Sequence, residues 1–312
     1  MSRSVPDLRA LSDRQRELLS AWLPDVAVKE DMSWGLVETT VLRVAAGGRT
    51  LVVKAGGERD HHIAREVRAH REWTGPWLAD ALDARVDADR VDADRVDADR
   101  VGRLVRADVD AKLLVTTYQP GRLVQDDAAA ADPDTYEQAG RLLAALHGQL
   151  AVEDVGYEAR ANARSERWLG GPHRIAPGDV ARLRTLIRSW PTPPAVVVPT
   201  HGDWQARNWL VDDGGTVRVI DLGRADLRPA MSDLDRLASR EFRRYPGAEE
   251  AFLAGYGHDP REPGAWSRSR VREAIGTACW AYQVGDDAFE AQGHRLVAEA
   301  LADAGGARPT SP

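Results

Sequence analysis

Hydrophobic and polar residues recur with two different periods along the chain. Before about residue 118, short apolar runs rich in β-branched residues predict strands at 50–55 and 113–119, and the second run stops at a Pro-Gly turn signal. Further along, the apolar positions of 136–146 recur at helical spacing. The pattern predicts an α+β fold with a strand-rich N-terminal part and a mostly helical C-terminal part.

Two helices are predicted within the N-terminal part. Ser12 and Gln15 form a capping-box pattern, in which two side chains cap the first backbone N–H groups, and this predicts a helix that runs through Trp22. Apolar residues within 63–73 recur at helical spacing and predict a second helix. The second helix therefore follows the strand at 50–55.

A β-hairpin is predicted between three polar side chains. The runs 209–211 and 216–220 flank an Asp-Asp-Gly-Gly turn, which predicts two antiparallel strands. Asp203 and Asn208 precede the hairpin, and Asp221 follows it. Because a hairpin returns the chain to its starting point, we expect Asp221 to lie beside Asn208.

These three residue types suit phosphoryl transfer. The reaction needs a carboxylate that orients and deprotonates the attacking hydroxyl, together with oxygen ligands for the Mg²⁺ that neutralises the triphosphate. The sequence therefore predicts a kinase active site. The alternative interpretation is that Asp203 caps a turn and Asp221 merely ends a strand.

The motifs resemble those of the aminoglycoside phosphotransferase and choline kinase family of small-molecule kinases, which includes enzymes acting on viomycin and capreomycin. The family's catalytic loop reads His-Gly-Asp, as at 201–203, and its metal motif often reads Ile-Asp, as at 220–221. The resemblance covers roughly residues 30–290. It implies a bilobal protein-kinase-like fold, with an N-lobe over 1–118 and a C-lobe over 119–312.

The resemblance also implies roles for individual residues. Asp203 would be the catalytic base, and Asn208 and Asp221 would be the Mg²⁺ ligands. Lys54 would contact the α- and β-phosphates of ATP and would be held by a glutamate of the following helix. Glu66 is the expected partner, with Glu72 less than two turns further on as the alternative.

The rest of the nucleotide site is less fully specified. Kinases cover the phosphates with a glycine-rich loop, whereas the corresponding segment, 31–36, has a single glycine. Ser33 is the candidate phosphate contact in this segment. Thr117 and Tyr118 occupy the expected hinge, where they would lie against the purine.

The acceptor is expected to be a small cationic molecule. Acidic and aromatic side chains of the C-lobe would suit a polycation through ion pairs and cation–π contacts. The candidates are Asp226, Glu241, Trp266, Trp280, Tyr282, Asp286, Asp287 and Glu290. Each is also explained as an ordinary surface residue.

Three classes of function stay open at this stage. The first expectation is a kinase for a hydroxylated cationic antibiotic, either an aminoglycoside or a basic cyclic peptide. A metabolite kinase for choline, a sugar or an amino alcohol is the second. A catalytically inactive binding module with a kinase fold is the third, and the presence of Lys54, Asp203, Asn208 and Asp221 argues against it.

The composition of the chain limits its expected binding partners and cell compartment. A net charge of −7 and a pI near 5.7 argue against nucleic acid as the main partner. No apolar run approaches the roughly 20 residues of a membrane span, and the first residues lack the apolar core of a signal peptide. The single cysteine, Cys279, is expected to pack inside a helix and suits a reducing compartment. We expect a cytoplasmic enzyme that uses ATP and Mg²⁺, of undetermined oligomeric state.

A repeat of the sequence Val-Asp-Ala-Asp-Arg fills residues 86–100. Its period fits neither helix nor strand, and it is shorter than the roughly 20–50 residues of solenoid repeats. The glycine and the terminal glutamate of an EF-hand loop are missing. The repeat therefore predicts an expanded surface loop without a role in function.

Overall fold

The computed structural model describes residues 8–33, 39–78 and 99–306. The chain forms two compact units, each assembled from separate stretches of sequence. The first comprises Met1–Gln149, Pro199–Asp226 and Glu241–His258, and the second comprises Leu150–Val198, Leu227–Arg240 and Asp259–Pro312. The division into lobes at residue 118 stays a prediction.

The N-terminal part of the first unit is a five-stranded antiparallel sheet with the order β1-β2-β3-β5-β4. Its strands are β1 (Ala27–Asp31), β2 (Thr39–Ala46), β3 (Arg49–Gly56), β4 (Leu104–Asp108) and β5 (Leu113–Thr117). The strand predicted at 50–55 is confirmed as β3, and the strand predicted at 113–119 is confirmed as β5, although β5 ends two residues earlier, at Thr117. They are neighbours, with Lys54 opposite Leu114.

Alternation along β3 sends its side chains to opposite faces of the sheet. Leu51 and Val53 enter a core that also holds Leu19 of helix α1 (Asp13–Trp22). A second cluster joins Leu114 of β5 to Ile63 and Val67, which lie on helix α2 (His62–Glu72). Since Lys54 lies between Val53 and Ala55, it points away from the first core.

Both predicted N-terminal helices are confirmed, and α1 begins with the predicted capping box. Ser12 Oγ accepts from Gln15 N at 3.3 Å, and Gln15 Oε1 accepts from Ser12 N at 2.9 Å. The buried Gln15 amide also donates to the carbonyls of Gly56 and Ala111. Gln15 therefore fixes the helix to the end of β3 and to the turn between β4 and β5, in addition to its part in the capping box.

The remainder of the first unit is mostly helical. It contains α3 (Pro133–His147), a small sheet of order β10-β9-β6, and α7 (Glu241–Arg244) and α8 (Ala248–Tyr256). The strands of that sheet are β6 (Arg122–Leu123), β9 (Trp209–Val211) and β10 (Val217–Val219). The predicted hairpin is confirmed, because β9 and β10 pair antiparallel with Val217 opposite Val211.

Helices α3 and α8 approach each other closely at two glycines. A Cβ added at Gly255 would lie 2.0 Å from the Glu137 carbonyl oxygen, and one at Gly140 would lie 2.2 Å from that of Phe252. Either position therefore requires glycine. At the end of α3, His147 Nδ1 lies 2.8 Å from the Tyr256 hydroxyl, so His147 has a packing and hydrogen-bonding role.

The second unit contains β7 (Val152–Asp154), α4 (Tyr157–Trp168), α5 (Pro177–Ser189), α6 (Asp235–Ser239), α9 (Pro263–Val284) and α10 (Asp287–Gly306). Strand β7 pairs with β8 (Ala195–Thr200), and β11 (Asp226–Arg228) lies on the other side of β8. Its core joins α5, α9 and α10, with Leu183, Ile275 and Val297 among the buried side chains. Cys279 is fully buried in α9, as predicted, and burial raises the pKa of its thiol to about 11.

The end of the five-residue repeat corrects the surface-loop prediction. Residues 86–98 lie outside the described part of the chain. The last two residues of the repeat are anchored, because Asp99 is 0 % exposed and Arg100 Nη1 donates to the Val217 carbonyl at 2.9 Å. Asp99 also accepts from Arg103. The third copy therefore ends inside the fold.

Within the described ranges, no helix is both long and apolar enough to cross a bilayer.

Candidate active site

The segment 201–208 connects β8 to β9 and is fixed by its first residue. His201 is buried; its Nε2 lies 3.1 Å from the Ile220 carbonyl oxygen, and its Nδ1 lies 3.3 Å from the Asp203 backbone N. A single neutral tautomer, protonated at Nε2, satisfies both contacts. His201 therefore ties the segment to the residue that precedes Asp221. The turn itself requires Gly202, whose φ of 78° lies in the left-handed region.

Asp203 is only 2 % exposed, and both of its carboxylate oxygens accept hydrogen bonds. Gln205 Nε2 donates to Oδ1, and Arg207 Nη2 donates to Oδ2 at 2.7 Å. The backbone carbonyl of Asp203 accepts from Asn208 Nδ2, also at 2.7 Å. The side chain predicted as the base thus has a defined orientation.

Asn208 and Asp221 are brought together by the hairpin. Ile220 N donates to the Asn208 carbonyl at 3.0 Å, which places the residue before Asp221 directly against Asn208. Because Asn208 Nδ2 donates to Asp203, its Oδ1 is the atom that could ligate a metal. An amide oxygen and a carboxylate are the hard ligands that Mg²⁺ prefers.

This pair fits magnesium as a partial ligand set. Among the described residues, no group of three or more His, Cys, Asp or Glu side chains is arranged to hold a metal ion. Mg²⁺ usually retains several waters and takes oxygens from the substrate phosphates, so two protein ligands suffice. The metal role of Asn208 and Asp221 stays a prediction.

Asp221 has a strained backbone and a cationic partner. Its φ of 65° is unusual for a residue other than glycine, and its side chain is 51 % exposed. Lys54 Nζ lies 3.1 Å from Asp221 Oδ1, and this positive charge lowers the pKa of the carboxyl group, although the neighbouring Asp203 carboxylate acts in the opposite direction.

Lys54 also pairs with Glu66. Its Nζ lies 2.7 Å from Oε1 and 2.9 Å from Oε2 of that glutamate, whose side chain is 5 % exposed. Glu72, the alternative partner, pairs instead with Arg68. Burial lowers the pKa of Lys54, but the carboxylates of Asp221 and Glu66 outweigh burial, so the pKa lies above its ordinary value.

Helix α2 reaches the segment after Asp221 through a further contact. His62 Nδ1 lies 2.9 Å from the Gly223 carbonyl oxygen. A Cβ added at Gly223 would lie 3.1 Å from the His62 Cβ. Sequence reasoning missed His62, Gln205 and Arg207, although the last two stand two and four positions after Asp203.

Comparison with known protein families identifies the family to which the chain belongs. The sequence profile of the phosphotransferase enzyme family (APH) matches residues 33–272. The chain belongs to this family. It is therefore a phosphotransferase, as the catalytic-loop motif predicted. A search of curated proteins gave no match.

Solved structures of APH-like enzymes share the fold. A thermostable mutant of aminoglycoside phosphotransferase APH(4)-Ia superposes with a TM-score of 0.63 at 14 % identity, covering 94 % of this chain and 99 % of that one. Choline kinase LicA from Streptococcus pneumoniae gives 0.60 at 12 % identity, with coverage of 92 % and 97 %. Macrolide 2'-phosphotransferase MphH from Brachybacterium faecium gives 0.55 at 17 % identity, with coverage of 92 % and 98 %. The predicted kinase-like α+β fold is thus confirmed.

The three residues expected to contact the nucleotide in this APH-family chain also make hydrogen bonds within the protein. Ser33 Oγ accepts from Val41 N at 2.9 Å, and residues 34–36 of the expected phosphate loop lie outside the described part of the chain. Thr117 Oγ1 accepts from Arg103 N, and Tyr118 N donates to the Thr50 carbonyl. The backbone N–H of Tyr118 is therefore used within the sheet. The nucleotide roles of Ser33, Thr117 and Tyr118 stay predictions.

Two candidate acceptor residues of the APH-family chain belong to the first unit. Asp226 accepts from Thr200 Oγ1 through its backbone carbonyl at 2.6 Å, and Glu241 is buried in α7.

The other candidates lie in the second unit, where an arginine occupies part of the cluster. Arg174 Nη1 lies 3.1 Å from Glu290 Oε2 and 3.6 Å from Asp287 Oδ1, and its guanidinium lies over the ring of Tyr282. Asp286 Oδ1 accepts from Phe289 N at the start of α10, and Trp280 packs edge-on against the Phe289 ring. These side chains therefore have structural partners, and their acceptor role stays a prediction.

Proposed function

We propose that this phosphotransferase moves the γ-phosphate of ATP, with Mg²⁺, to a hydroxyl group of a small cationic molecule. The observation that supports this most strongly is the grouping of Lys54, Asp203, Asn208 and Asp221 by direct contacts or a shared hairpin within one unit. A binding module without catalysis would have no need for a buried, oriented carboxylate beside a metal-type pair. An enzyme is therefore the better interpretation.

Each residue has a distinct task in the proposed reaction. Lys54, fixed by Glu66, would bind the α- and β-phosphates. Asn208 and Asp221 would hold Mg²⁺, which would supply charge neutralisation of the phosphate oxygens. Asp203 would accept a hydrogen bond from the acceptor hydroxyl, orient its oxygen toward the γ-phosphorus and take its proton. The hydroxyl oxygen forms the new P–O bond as the bond from the γ-phosphorus to the β–γ bridging oxygen breaks, and ADP leaves.

ATP is the proposed donor because a related structure contains its product. A thermostable APH(4)-Ia mutant was crystallised as a ternary complex with ADP and hygromycin B. Another related structure is a GDP complex of aminoglycoside 2'-phosphotransferase-IIIa. A comparison of ATP with GTP as donor therefore belongs in the first assay.

A cationic antibiotic is the first proposal for the acceptor. Structural relatives were solved in complex with hygromycin B and gentamicin. Phosphorylation adds about −1.5 to −2 charges at neutral pH, which would weaken binding of a polycation to an anionic RNA target. Resistance would follow from that change. The second candidate is a metabolite kinase for choline or another amino alcohol, because a choline kinase shares the fold to a similar degree.

The test is a coupled assay of ADP release with Mg·ATP. The acceptor panel contains hygromycin B, gentamicin, capreomycin, viomycin, a macrolide, choline and a neutral sugar. Asp203→Asn is the matched control, since removal of a general base lowers kcat by at least ~10²-fold. Acceptor-dependent ADP release by the wild type that is lost in Asp203→Asn supports the proposal. Release from neither enzyme, or equal release from both, contradicts it.

Salt and cell growth separate the two acceptor classes. Binding of a polycation is largely electrostatic, so its KM should rise with ionic strength more than the KM for ATP does. Expression in a susceptible bacterium should raise the inhibitory concentration of the drug that turns over. No protection, together with robust turnover of choline or a sugar, would identify a metabolite kinase.

A further inference from the structure

Both oxygens of the Asp203 carboxylate are held by side chains from the same loop. Gln205 Nε2 donates to Oδ1, and Arg207 Nη2 donates to Oδ2 at 2.7 Å. We propose that Gln205 and Arg207 are positioning residues that set the plane of the catalytic carboxylate. This inference rests on the proposed function, in which Asp203 receives the acceptor hydroxyl.

The local backbone explains why these two positions reach the same carboxylate. Residues 206–208 form one turn of 3₁₀ helix, and Asn208 N donates to the Gln205 carbonyl at 2.9 Å. The tight turn brings Gln205 and Arg207 back toward Asp203. The buried ring of Trp204, the residue between Asp203 and Gln205, packs against Trp77, His201 and Trp209. The loop is therefore supported by apolar packing as well as by hydrogen bonds.

Orientation matters more than basicity in this type of reaction. The transition state of phosphoryl transfer is largely dissociative, so catalysis depends mainly on positioning and electrostatic stabilisation. A carboxylate can rotate about its terminal bond, and two donors on different oxygens stop that rotation. Misplacement by about 1 Å can lower a rate ~10²-fold. Gln205 and Arg207 would thus act through Asp203 without touching the phosphate.

Arg207 is charged and Gln205 is neutral, so the loss of each should affect the Asp203 carboxylate to a different extent. Asp203 is 2 % exposed, whereas the Arg207 side chain is 29 % exposed. A buried carboxylate needs a cation or several donors to offset its lost hydration, and Arg207 supplies the charge. Gln205 supplies a neutral donor, so its loss should have the smaller effect.

A double-mutant cycle tests the proposal. Arg207→Ala should lower kcat by ~10- to 10²-fold while changing the KM for ATP less than ~3-fold, because the interaction acts on orientation rather than on nucleotide binding. Combined with Asp203→Asn, Arg207→Ala should cause little further loss, since its effect passes through the missing carboxylate. The assay measures ADP release from Mg·ATP, with water and with the acceptor panel described above.

Two rescue measurements exclude a merely structural role. Arg207→Lys keeps one cationic donor and should recover part of kcat, and millimolar guanidinium chloride should raise kcat of Arg207→Ala but not of Asp203→Asn. Arg141→Ala is the control, because Arg141 is an exposed arginine of α3 that pairs with Glu137. It should behave as the wild type. If Arg207→Ala does not fold, Arg207→Lys and Gln205→Ala, each tested with and without Asp203→Asn, complete the cycle.

The remaining outcomes show whether the positioning role fails alone or together with the proposed function. Unchanged kcat in Arg207→Ala, or a loss that simply multiplies with that of Asp203→Asn, overturns the positioning role and leaves the proposed function intact. Full activity of Asp203→Asn overturns the assignment of the base, and the positioning role with it. A wild-type enzyme without turnover in any arm removes both.

Discussion

The Lys54 ammonium lies 3.1 Å from the Asp221 carboxylate, although 167 residues separate the two positions. The same nitrogen lies 2.7 Å from Glu66 Oε1. One cation therefore joins three elements: strand β3, helix α2 and the segment that follows β10. In the proposed function these elements would meet the nucleotide phosphates and their metal, and this pairing holds the three elements together.

Burial and the Lys54 charge both shift the pKa values of the groups around Lys54. Burial raises the pKa of Glu66, and the Asp221 carboxylate adds to that effect, while Lys54 opposes both. His70, on the same helix, has its pKa lowered to about 3 by burial and by Lys54, so it stays neutral at physiological pH. Lys54 is thus the cation on which both carboxylates depend.

Removal of Lys54 should destabilise the fold as well as abolish turnover. Lys54→Met leaves the buried Glu66 carboxylate without its cation, and loss of one partner of a buried pair costs about 3–5 kcal/mol. Lys54→Met combined with Glu66→Gln should recover most of that stability but no activity. Chemical denaturation and ADP release measure the two effects separately.

The matched control for this experiment is Lys29→Met, since Lys29 is an exposed lysine of β1. It should leave both stability and turnover near wild type. A double variant as unstable as Lys54→Met alone would show that the unpaired Glu66 charge is not the cause.

Asp221 should matter for the metal rather than for the acceptor. Asp221→Ala should weaken binding of Mg·ATP, because it removes the carboxylate of the proposed ligand pair, and should leave binding of ATP without Mg²⁺ nearly unchanged. Calorimetry with Mg²⁺ and with excess EDTA measures both affinities. Unchanged Mg·ATP affinity in Asp221→Ala would contradict the metal role.

Much of this site could be predicted from sequence because short-range geometry determines it. A hairpin between Asn208 and Asp221 returns the chain to the same place whatever surrounds it, and strand alternation puts Lys54 on the face that α2 covers. The bonds of Gln205 and Arg207 to Asp203 depend on side-chain conformations within a loop. No periodicity reports those conformations, so they were missed.

The anchored end of the five-residue repeat could not be predicted from the sequence. Its five-residue period matches neither a helix nor a strand, but a period cannot indicate where a repeat ends and an anchored segment begins. Asp99 and Arg100 are identical in sequence to the corresponding residues of the first two copies. Only their neighbours in space, Arg103 and Val217, distinguish them.

Deletion of the first two copies, 86–95, should therefore leave kcat/KM within a few-fold of wild type. Loop-closure entropy changes slowly with length, so the shorter connection should have little effect on stability.

Arg100→Ala, in contrast to the deletion of 86–95, should destabilise the protein by about 1–3 kcal/mol, because it leaves the Val217 carbonyl and Gln138 without this donor. Thermal unfolding and ADP release compare the two. A deletion that folds normally but loses activity would show that the repeat serves the reaction.

The second unit contains a buried carboxyl group, that of Asp235. Asp235 is the first residue of α6; its Oδ1 is buried without a hydrogen-bond partner, while Oδ2 accepts from Ser269 Oγ at 2.7 Å. Burial raises the pKa of Asp235 well above its ordinary value, and the Glu273 carboxylate adds to this shift. Arg236 and Arg270 oppose it more weakly.

The raised pKa of Asp235 predicts the direction of a pH effect. Below the pKa of the unfolded chain, both states hold the proton; above it, only the folded state does, so stability falls as the pH rises toward the folded pKa. The slope for one proton is about 1.4 kcal/mol per pH unit. Asp235→Asn keeps an acceptor for Ser269 and has no proton to lose. The thermal midpoint of this variant should therefore rise relative to that of wild type as the pH increases from about 4.5 to 8. Asp110→Asn, at an exposed carboxylate in the first unit, should show no such gain. A difference between wild type and Asp235→Asn that does not change with pH would mean that Asp235 is ionised in the folded protein.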